Sequence, residues 1–532
     1  MNKLHLTRRK AIIAGLLIPS LSYTVLKGSE LAADPSAEKD CACAPIENNN
    51  ESTCDAPAGS ATTATALAWK QQGGTINDAS CVNRTAVHGI VQVKTEDDIR
   101  AALRYAAEKQ LKVSIAAVRH SMGGHAFHRN GVVLDMMQFN NMSLDAPNKL
   151  LTVQSGATWH NIQNFIHPNY AVKAMQSSDI FSVGGSVSVN AHGMDHQVGA
   201  VGRTIRSMRV MLPDGSIKTA SRNENPELFN LVLGGYGLFG ILLDVVLEIT
   251  DNTIYQAKRR YINVQDFPAL FQSEIVNDKK LGLFYGHLST SPGSLLREMI
   301  LYLYEAQTIG EADIPPLPNV SGEQLRRFTL NFAKLGPIPA RLKWFAEKNI
   351  EPHMETCSVK PRSQALTDGE ACLVARNEPM HDSVNYLKNN LKGETDILHE
   401  YFIPRDRLIA FVDGLREVVI RRSVNLLNAS VRVVHREDNF LSYAPQDAFS
   451  IVLYINQQTD AAGHAKMRLV TGELIDLATR LGGRFFLPYQ LHYTPQQLEA
   501  SYPQIRQFFA AKQKYDPQGL LTNTWYEKYR GM

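Results

Sequence analysis

The sequence contains no long basic run, no Cys-x-x-Cys pair and no internal repeat. Its formal net charge is only +3 over 532 residues, and the two signs of charge are well mixed. A protein that tracks a phosphate backbone concentrates Lys and Arg, so we expect no nucleic-acid partner. The six cysteines do not combine with histidines at zinc-site spacing. A chain of this length is expected to fold into two or more domains.

The N-terminal segment lacks an apolar run of the roughly 20 residues that a spanning helix needs. Its shorter apolar run, Ala11 to Leu26, follows the basic stretch Thr7 to Lys10. This order resembles a twin-arginine signal and predicts export, to a bacterial periplasm. The alternatives are a generic signal and an uncleaved anchor, which would be the chain's contact with a membrane. Export would allow some cysteines, such as Cys41, Cys43 and Cys54 in the low-complexity stretch that follows, to form disulfides.

Composition and hydrophobic periodicity divide the chain into parts. The pattern becomes globular near Trp69, changes after a strong predicted strand that ends near Asp251, and changes again near Tyr502, where a C-terminal helix begins. The predicted parts are an export signal or anchor (1–27), a flexible linker (28–68), a first globular domain (69–252), a second domain (253–501), and a C-terminal helix and tail (502–532).

The segment Arg119–His128, RHSMGGHAFH, holds three histidines and a Gly-Gly step. It lies between two predicted strands, Leu111–Val118 and Gly131–Met136, and such loops often carry function. A metal site would need two or more of these histidines to converge with a further ligand, and no third ligand is evident. We therefore expect no metal here, and structural or surface roles for His125 and His128.

A second motif, GYGLFG at Gly235–Gly240, matches the Gly-x-Gly-x-x-Gly pattern of dinucleotide-binding folds. That pattern holds a pyrophosphate only where it follows a strand and opens a helix, because the helix N-terminus binds the phosphates. Here the order is reversed, since a predicted helix (225–233) precedes the glycines and a predicted strand (241–250) follows them. A Rossmann fold is therefore rejected, although the glycines still permit a close backbone approach.

Three segments are rich in small residues: Arg119–Gly124, Ser177–Gly193 and Gly234–Ile241. Each is predicted to be a loop that joins strands, or a strand and a helix. Backbone N–H groups in such loops can cradle a pair of phosphates. One such loop alone is most often a plain turn, and only the set of three indicates a cofactor site.

The order and spacing of these segments resemble the vanillyl-alcohol-oxidase family of PCMH-type FAD-binding flavoproteins, closely over about Asn77 to Thr250 and more loosely beyond. In cytokinin dehydrogenases of this family the first loop reads like GHSLMGQAF, and RHSMGGHAF aligns with it without a gap. The resemblance implies FAD as the cofactor. It also implies an α+β fold: a PCMH-type FAD-binding domain of two α+β subdomains (69–252), a substrate-binding cap domain with an antiparallel sheet flanked by helices (253–501), and a tail that returns to the flavin (502–532).

The same resemblance assigns FAD contacts. His120 stands where relatives bond covalently to the flavin ring; the alternative is a histidine that only hydrogen-bonds within its loop. His192 is either a site residue or a buried, satisfied histidine. The second loop has no cysteine, so a double covalent link to flavin is not expected. The residues implied for FAD binding are Arg119, His120, Ser121, Met122, Gly123, Gly124, Ser178, Asp179, Val183, Gly184, Gly185, Ser188, His192, Gly193, Gly237, Gly240, Ile241 and Asn523.

The cap domain should supply the groups that handle a substrate's hydroxyl proton. Its segments HEYFIPRDRL, SVRVVHREDNFLSYA and GGRFFLPYQLHY resemble those of aldonolactone oxidases. Arg432 matches an arginine of that family, whereas Ser430 replaces its glutamate and Tyr489 its lysine. We expect Arg432 to polarise a substrate oxygen and Tyr489 to act as acid or base. The alternative for Tyr489 is an aromatic wall in an apolar pocket.

The resemblance, which is strongest to aldonolactone and alditol oxidases and to decaprenylphosphoryl-ribose oxidase, implies an FAD-linked oxidase or dehydrogenase. It would oxidise a CH–OH group of a sugar, polyol, lactone or related alcohol by hydride transfer to flavin N5, and pass electrons to oxygen or another acceptor. A CH–NH-oxidising dehydrogenase of the cytokinin-dehydrogenase type is an alternative because it shares the first loop. A flavin-binding protein without catalysis is another, because the usual Glu and Lys are missing. A metal-binding periplasmic protein is the remaining alternative.

Overall fold

The computed structural model describes residues 67–308, 312–317, 322–351, 358–361, 372–382 and 391–532, together with 31–33, 384, 387 and 389. The predicted signal (1–27) and almost all of the predicted linker lie outside the described residues. Among the residues that the structure describes, no helix is both long enough and apolar enough to cross a membrane. Cys81 and Cys372 are both disulfide-bonded.

The first subdomain is a four-stranded sheet with one amphipathic helix. Its elements are β1 (Trp69–Gln72), β2 (Thr75–Ile76), β3 (Thr85–Ala86), β4 (Gly89–Gln92), α1 (Glu96–Glu108), β5 (Val113–Ala116) and β6 (Val132–Asp135). The sheet order is β1-β4-β6-β5, with β4, β6 and β5 parallel. The helix begins with a capping box in which Thr95 and Asp98 satisfy each other's backbone N–H groups. It buries Ile99, Leu103 and Ala106, as the sequence spacing predicts.

The second subdomain is an antiparallel sheet whose order is β11-β10-β12-β8-β7, with β9 added to the end of β12. Its elements are β7 (Met142–Asp145), β8 (Leu150–Gln154), α2 (Trp159–Ile166), β9 (Tyr170–Val172), α3 (Val183–Val189), a 3-10 turn (Val201–Thr204), β10 (Ile205–Met211), β11 (Ile217–Ser221), α4 (Pro226–Val232) and β12 (Ile241–Asp251). The glycines of GYGLFG follow α4 and precede β12, so the order that argues against a Rossmann fold is observed.

The prediction that Ser177–Gly193 is entirely a loop is wrong, because α3 lies within it. The Ser182 hydroxyl accepts a hydrogen bond from the Gly185 N–H and starts this helix. A side chain at Gly184 would place its Cβ 2.9 Å from Ser155, so the small residues serve close packing rather than chain freedom.

The cap domain is an eight-stranded antiparallel sheet in the order β18-β13-β15-β14-β20-β21-β19-β22. Its elements are β13 (Ile254–Asn263), a 3-10 turn (Val264–Asp266), α5 (Phe267–Leu270), a π turn (Phe271–Ile275), β14 (Leu281–Leu288), β15 (Glu298–Ala306), β16 (Ala312–Asp313), α6 (Glu323–Ala333), α7 (Pro337–Asn349), β17 (Lys360–Pro361), β18 (Leu373–Ala375), a 3-10 turn (Glu378–Met380), β19 (Glu394–Pro404), a 3-10 turn (Arg405–Arg407), α8 (Leu408–Arg421), β20 (Asn425–Val434), β21 (Ala448–Gln458), α9 (Ala461–Arg480) and β22 (Arg484–Phe485). These observations agree with the predicted α+β architecture of two subdomains and a cap.

The C-terminal segment forms α10 (Pro495–Ser501), α11 (Ile505–Tyr515) and α12 (Thr524–Tyr529) and then returns to the first sheet. The backbone N–H of Val113 in β5 donates to Leu520 O, and the Ser114 hydroxyl donates to Thr522 O at 2.7 Å. A single large cluster of buried apolar side chains joins the second subdomain, the cap and the C-terminal helices, from Trp159 through Phe402 to Trp525. The three parts therefore share one core.

A substitution at Gly193 tests the close packing of the small residues in 177–193. A Cβ at Gly193 would lie 1.9 Å from the carbonyl oxygen of Met175, so the backbone must move to accept any side chain. We expect Gly193→Ala to destabilise the protein by on the order of 2–4 kcal/mol. The control is Gly293→Ala, where a Cβ would meet nothing within 4 Å. Urea midpoints of the two variants measure the difference, and equal midpoints would contradict the packing described.

Candidate functional site

A cavity of about 350 Å³ lies between the FAD-binding-type domain and the cap sheet. All three small-residue segments contribute to its wall, and strands β19, β20 and β21 form the cap side. The sequence-predicted residues that line it are Arg119, His120, Ser121, Ser178, Gly184, Gly185, Ser188, His192, Gly237, Gly240, Arg432 and Tyr489. Residues far apart in the chain thus converge on one site.

The wall formed by the first domain suits a polar cofactor. The buried hydroxyls of Ser155 and Ser177 have no hydrogen-bond partner among the described residues, and both residues line the cavity. Buried polar atoms are rarely left unpaired in proteins, so these hydroxyls are suited to a bound polar group. Gly237 has φ +72°, a left-handed conformation that brings the backbone itself to the cavity without a side chain.

The first loop presents His120 to this cavity through an uncommon backbone turn. Arg119 has φ +54°, a region that residues other than glycine seldom adopt. Its carbonyl oxygen accepts from the Ala79 N–H at 3.0 Å, which helps to fix the turn. The His120 ring meets the Phe181 ring edge-on, with centroids 4.8 Å apart. The imidazole is therefore held at the cavity wall in a defined orientation.

The rest of the first loop supports the wall instead of lining it. The Met122 N–H donates to Pro488 O at 2.8 Å, which ties the loop to the cap. A Cβ on Gly123 would lie 2.5 Å from Tyr489 O. The Gly124 N–H donates to the buried Asp78 carboxylate at 3.0 Å. Met122, Gly123 and Gly124 thus hold the position of residues that reach the cavity.

Four more predicted contacts are also supporting residues. Val183 and Ile241 are fully buried in the apolar core, and Gly193 packs on the backbone of Met175. Asn523 caps α12 and donates from its side-chain amide to Tyr236 O at 2.9 Å. Tyr236 lines the cavity, so the C-terminal segment reaches the site through that hydrogen bond.

Asp179 is turned away from the cavity toward two histidines. Its Oδ2 lies 2.7 Å from His160 Nδ1 and 3.1 Å from His381 Nδ1, and the two rings stack with centroids 4.8 Å apart. These three side chains could hold a metal ion, although Gln163 also pairs with His381 Nδ1 at 3.0 Å. The arrangement ties the FAD-binding-type domain to the cap.

Sequence reasoning missed the group at the centre of the cap wall, Glu400. Its Oε1 lies 2.5 Å from His192 Nε2 and accepts from the Ser450 hydroxyl at 2.5 Å. Its Oε2 accepts from the Tyr489 hydroxyl at 3.2 Å. The sequence clue to Glu400 lies in the segment HEYFIP. Because side chains alternate along a strand, residues 398, 400 and 402 share one face of β19, and residues 398 and 400 line the cavity.

The carboxylate of Glu400 is charged although it is buried. Burial alone would raise its pKa, but the attraction and hydrogen bond of His192, the Ser450 hydroxyl and the Arg432 charge together lower it. Burial raises the pKa of Tyr489 well above its ordinary value, and the nearby Glu400 charge adds to that. Tyr489 therefore stays protonated and remains a donor at neutral pH.

Arg432 completes the cluster on the neighbouring strand. Burial lowers its pKa, and the Glu400 charge opposes that shift. A guanidinium keeps its proton under such shifts, so Arg432 is a buried cation at the cavity. Its Nε has no hydrogen-bond partner within the described part of the chain. Arg432 can therefore donate to a bound oxygen.

Of the other two histidines in RHSMGGHAFH, His125 also lines the cavity, a placement not expected from the sequence. It stacks on Trp525 with centroids 6.0 Å apart. Burial lowers its pKa to about 3, so the ring is neutral. His128, which burial also shifts toward a lower pKa, is not part of the wall.

Comparison with known families matches two separate regions of the chain. Residues 87–221 match the family described as FAD binding domain, and residues 349–529 match the family described as D-arabinono-1,4-lactone oxidase. The first match contains the loops of Arg119–Gly124 and Ser177–Gly193. The second contains Glu400, Arg432 and Tyr489.

Individual relatives agree with these matches. The chain is 28% identical to decaprenylphosphoryl-β-D-ribose oxidase of Mycolicibacterium smegmatis over 29% of this chain and 34% of the relative. It is 24% identical to the mitochondrial L-galactono-1,4-lactone dehydrogenase of Arabidopsis thaliana over 33% of this chain and 29% of the relative. The match therefore spans about a third of the length of each of these two relatives.

A third relative, cytokinin dehydrogenase 2 of Arabidopsis thaliana, is 27% identical over 82% of this chain and 87% of its own length. Together the family matches and the relatives cover both the cofactor loops and the cap strands. In both regions the chain is therefore similar to FAD-dependent oxidoreductases with a PCMH-type FAD-binding domain, and FAD is its cofactor.

Proposed function

We propose that this protein oxidises a CH–OH group of a sugar, polyol, lactone or related alcohol. The observation that carries the proposal is the cluster of Glu400, His192, Arg432 and Tyr489 in the cap wall of the cofactor cavity. Alcohol oxidation removes a hydride from carbon and a proton from oxygen. FAD supplies the acceptor for the hydride. The protein must supply the acceptor for the proton and a stabilising charge for the oxygen.

Glu400, held in place by His192, is suited to accept the proton. The Glu400 carboxylate is deprotonated at neutral pH because His192, Ser450 and Arg432 lower its pKa against the effect of burial. His192 Nε2 lies 2.5 Å from Oε1 and so holds the carboxylate in place. A proton released by a substrate hydroxyl would pass to Glu400 while the hydride leaves the carbon that bears that hydroxyl.

Arg432 and Tyr489 are suited to bind the substrate oxygen. The Arg432 guanidinium is a fixed positive charge in a buried site, where it stabilises developing negative charge more strongly than it would in water. Tyr489 stays protonated, and its hydroxyl, which donates to Glu400 Oε2, can turn its single hydrogen to the same substrate oxygen instead. The role proposed for Arg432 is the one that the sequence predicts, whereas Tyr489, predicted as acid or base, is proposed here as a hydrogen-bond donor.

The sheet register explains how catalysis can survive the missing glutamate at position 430. Ser430 on β20 pairs with Val452 on β21, and Val452 pairs in turn with Glu400 on β19. Residues directly opposite in a sheet point to the same face. Glu400 therefore presents a carboxylate in the same row as Ser430. This register favours an active enzyme over a flavin-binding protein without catalysis.

The second candidate is oxidation of a CH–NH group. It is favoured by the cytokinin dehydrogenase relative, which matches over most of both chains. An anaerobic stopped-flow panel of alcohols and amines separates the two candidates. We expect the visible absorbance of oxidised flavin to bleach with alcohols of the sugar, polyol or lactone class. Bleaching by amines alone would replace the proposal with the second candidate, and no bleaching would favour a non-catalytic protein.

We also propose export through the twin-arginine-like signal. The disulfide-bonded Cys81 and Cys372 support it, because disulfides persist in oxidising compartments. The signal segment itself lies outside the described residues. Fractionation of cells that express the chain with Arg8 and Arg9 changed to Lys tests the proposal, which fails if the variant is exported as well as the wild type.

The role of Glu400 gives a direct prediction. We expect Glu400→Gln to lower kcat by about 10²–10⁴-fold, the usual effect of removing a general base, with FAD content unchanged. The matched control is Glu437→Gln, a buried carboxylate that pairs with Arg203 and Asn190 outside the cavity wall. Flavin reduction rates measure both. Similar losses in the two variants would indicate structural damage instead of a lost proton acceptor.

The pH profile provides a second prediction for the same residue. Because the pKa of Glu400 is lowered, its deprotonated form persists at acidic pH where an ordinary Glu, with a pKa of about 4.3, would be half protonated. In the wild type, the rate of flavin reduction should therefore begin to fall with acidity only at a pH below about 4.3. An acid limb assigned to Glu400 and lying above it would contradict the electrostatic account.

Tyr489 gives a third prediction. We expect Tyr489→Phe to slow flavin reduction about tenfold or more, because one hydrogen-bond donor to the substrate oxygen is lost. Tyr302→Phe, a buried tyrosine on β15 outside the cavity wall, is the control. If both variants reduce flavin at the wild-type rate, Tyr489 is only an aromatic wall.

The link between His120 and flavin is the fourth prediction. His120 lines the cavity in a fixed orientation, and we propose that it carries the flavin covalently. Acid precipitation should leave yellow, fluorescent flavin in the pellet of the wild type and in the supernatant of His120→Ala. Free flavin from the wild type would reduce His120 to a non-covalent contact and leave the family assignment unchanged.

A further inference from the structure

Exposed apolar side chains gather at one end of the cap domain. Nine large hydrophobic side chains are exposed among the described residues, and six of them lie on α6, on α7, in the turn between them, or beside α7. Five of these define the apolar cap face, namely Leu325, Leu335, Ile338, Leu342 and Phe345. The sixth, Tyr261, donates from its hydroxyl to Lys348 O at the end of α7. Such a concentration marks an interaction surface.

Helix α7 carries an apolar stripe on its outer side, which is uncommon for a surface helix. Ile338, Leu342 and Phe345 follow one another at helical spacing on the outer side and are 67%, 46% and 57% exposed. The inner side buries Trp344 together with the charged pair Lys343 and Glu347, whose side chains meet at 2.5 Å. The helix is therefore anchored on its inner side, and its outer apolar stripe is left open to an apolar phase.

Basic residues border the same stripe. Residues 322–349 contain six Lys or Arg. Arg327, Lys334 and Lys343 are turned inward, and Arg326, Arg341 and Lys348 are the ones that reach the surface. Arg341 and Lys348 stand at helical spacing next to the stripe on α7. Apolar side chains rimmed by Lys and Arg are the pattern of helices that lie in the interface of an anionic membrane.

The N-terminal part of the chain approaches this same place. Ala33 O accepts from Arg327 of α6 at 3.1 Å, and Leu31 O accepts from Asn331 at 2.8 Å. Leu31 itself is buried. Leu31, five positions after the end of the apolar run at Leu26, therefore lies against α6. If that run inserts in a membrane, only a few residues separate the membrane from α6.

We propose that the apolar cap face docks on an anionic lipid bilayer, with α7 lying in the membrane interface beside the N-terminal apolar run. Docking buries Ile338, Leu342 and Phe345 in lipid and brings Arg341 and Lys348 to the headgroups. The cap domain, not the FAD-binding domain, then faces the membrane. The inference does not depend on which substrate is oxidised.

Hydrogen exchange of the full chain on vesicles tests the proposal. The vesicles contain phosphatidylglycerol and phosphatidylethanolamine. We expect amide exchange over residues 335–349 to slow by about threefold or more in the vesicle-bound chain. The triple variant Ile338→Asp, Leu342→Asp, Phe345→Asp should lose this protection. The matched control is Ile420→Asp, Leu469→Asp, which changes exposed apolar residues on α8 and α9 and should keep it.

The possible results show whether lipid or a second copy of the chain covers the apolar cap face. Protection in the wild type and the control, but not in the triple variant, supports docking. A vesicle-bound wild type without protection over 335–349 overturns it, because the N-terminal run then holds the chain alone. A chain that does not bind the vesicles also overturns it. Protection that appears without lipid and rises with protein concentration overturns it in favour of a second copy, and light scattering would then report a dimer that the triple variant lacks.

Discussion

The burial of one charged carboxylate, Glu400, is the constraint on which the site depends. An unpaired buried charge costs several kcal/mol, so Glu400 requires partners with good geometry. His192 comes from the FAD-binding domain, Ser450 from the neighbouring strand, and Tyr489 from the segment after β22. Because these partners belong to different parts of the chain, the two domains must close on each other for the charge to be satisfied. The fold and the chemistry of the site therefore have a common electrostatic basis.

The sequence contains enough information to predict the cofactor side of the site. His120, Gly184 and Gly237 stand in short segments of small residues whose spacing along the chain is characteristic, and all three line the cavity. Local patterns also predict the amphipathic helix α1 and the reversed order around GYGLFG, since both depend on neighbouring residues. The prediction of a loop over residues 182–190 is wrong. The small residues there let helix α3 pack tightly on Ser155.

The substrate side could be predicted only in part. Arg432 and Tyr489 can be predicted from short segments that match the family. The role of Glu400 cannot, because it depends on the strand register opposite Val452 and on a contact with His192, which is 208 positions away in the chain. Asp179 was expected at the cofactor and instead meets His160 and His381. Contacts of this kind depend on how strands and domains pair, so the periodicity or spacing within one segment does not predict them.

The return of the C-terminal segment to β5 has a consequence for biosynthesis. Ser114 and Thr522 are 408 positions apart, yet their hydrogen bond completes the edge of the first sheet, and Asn523 fixes Tyr236 in the cavity wall. The cofactor cavity therefore cannot be finished while the ribosome is still making the cap domain. Flavin capture must follow synthesis of both domains, and it must precede translocation if the chain crosses the membrane already folded. The path of the chain thus places completion of the cofactor cavity after synthesis of both domains.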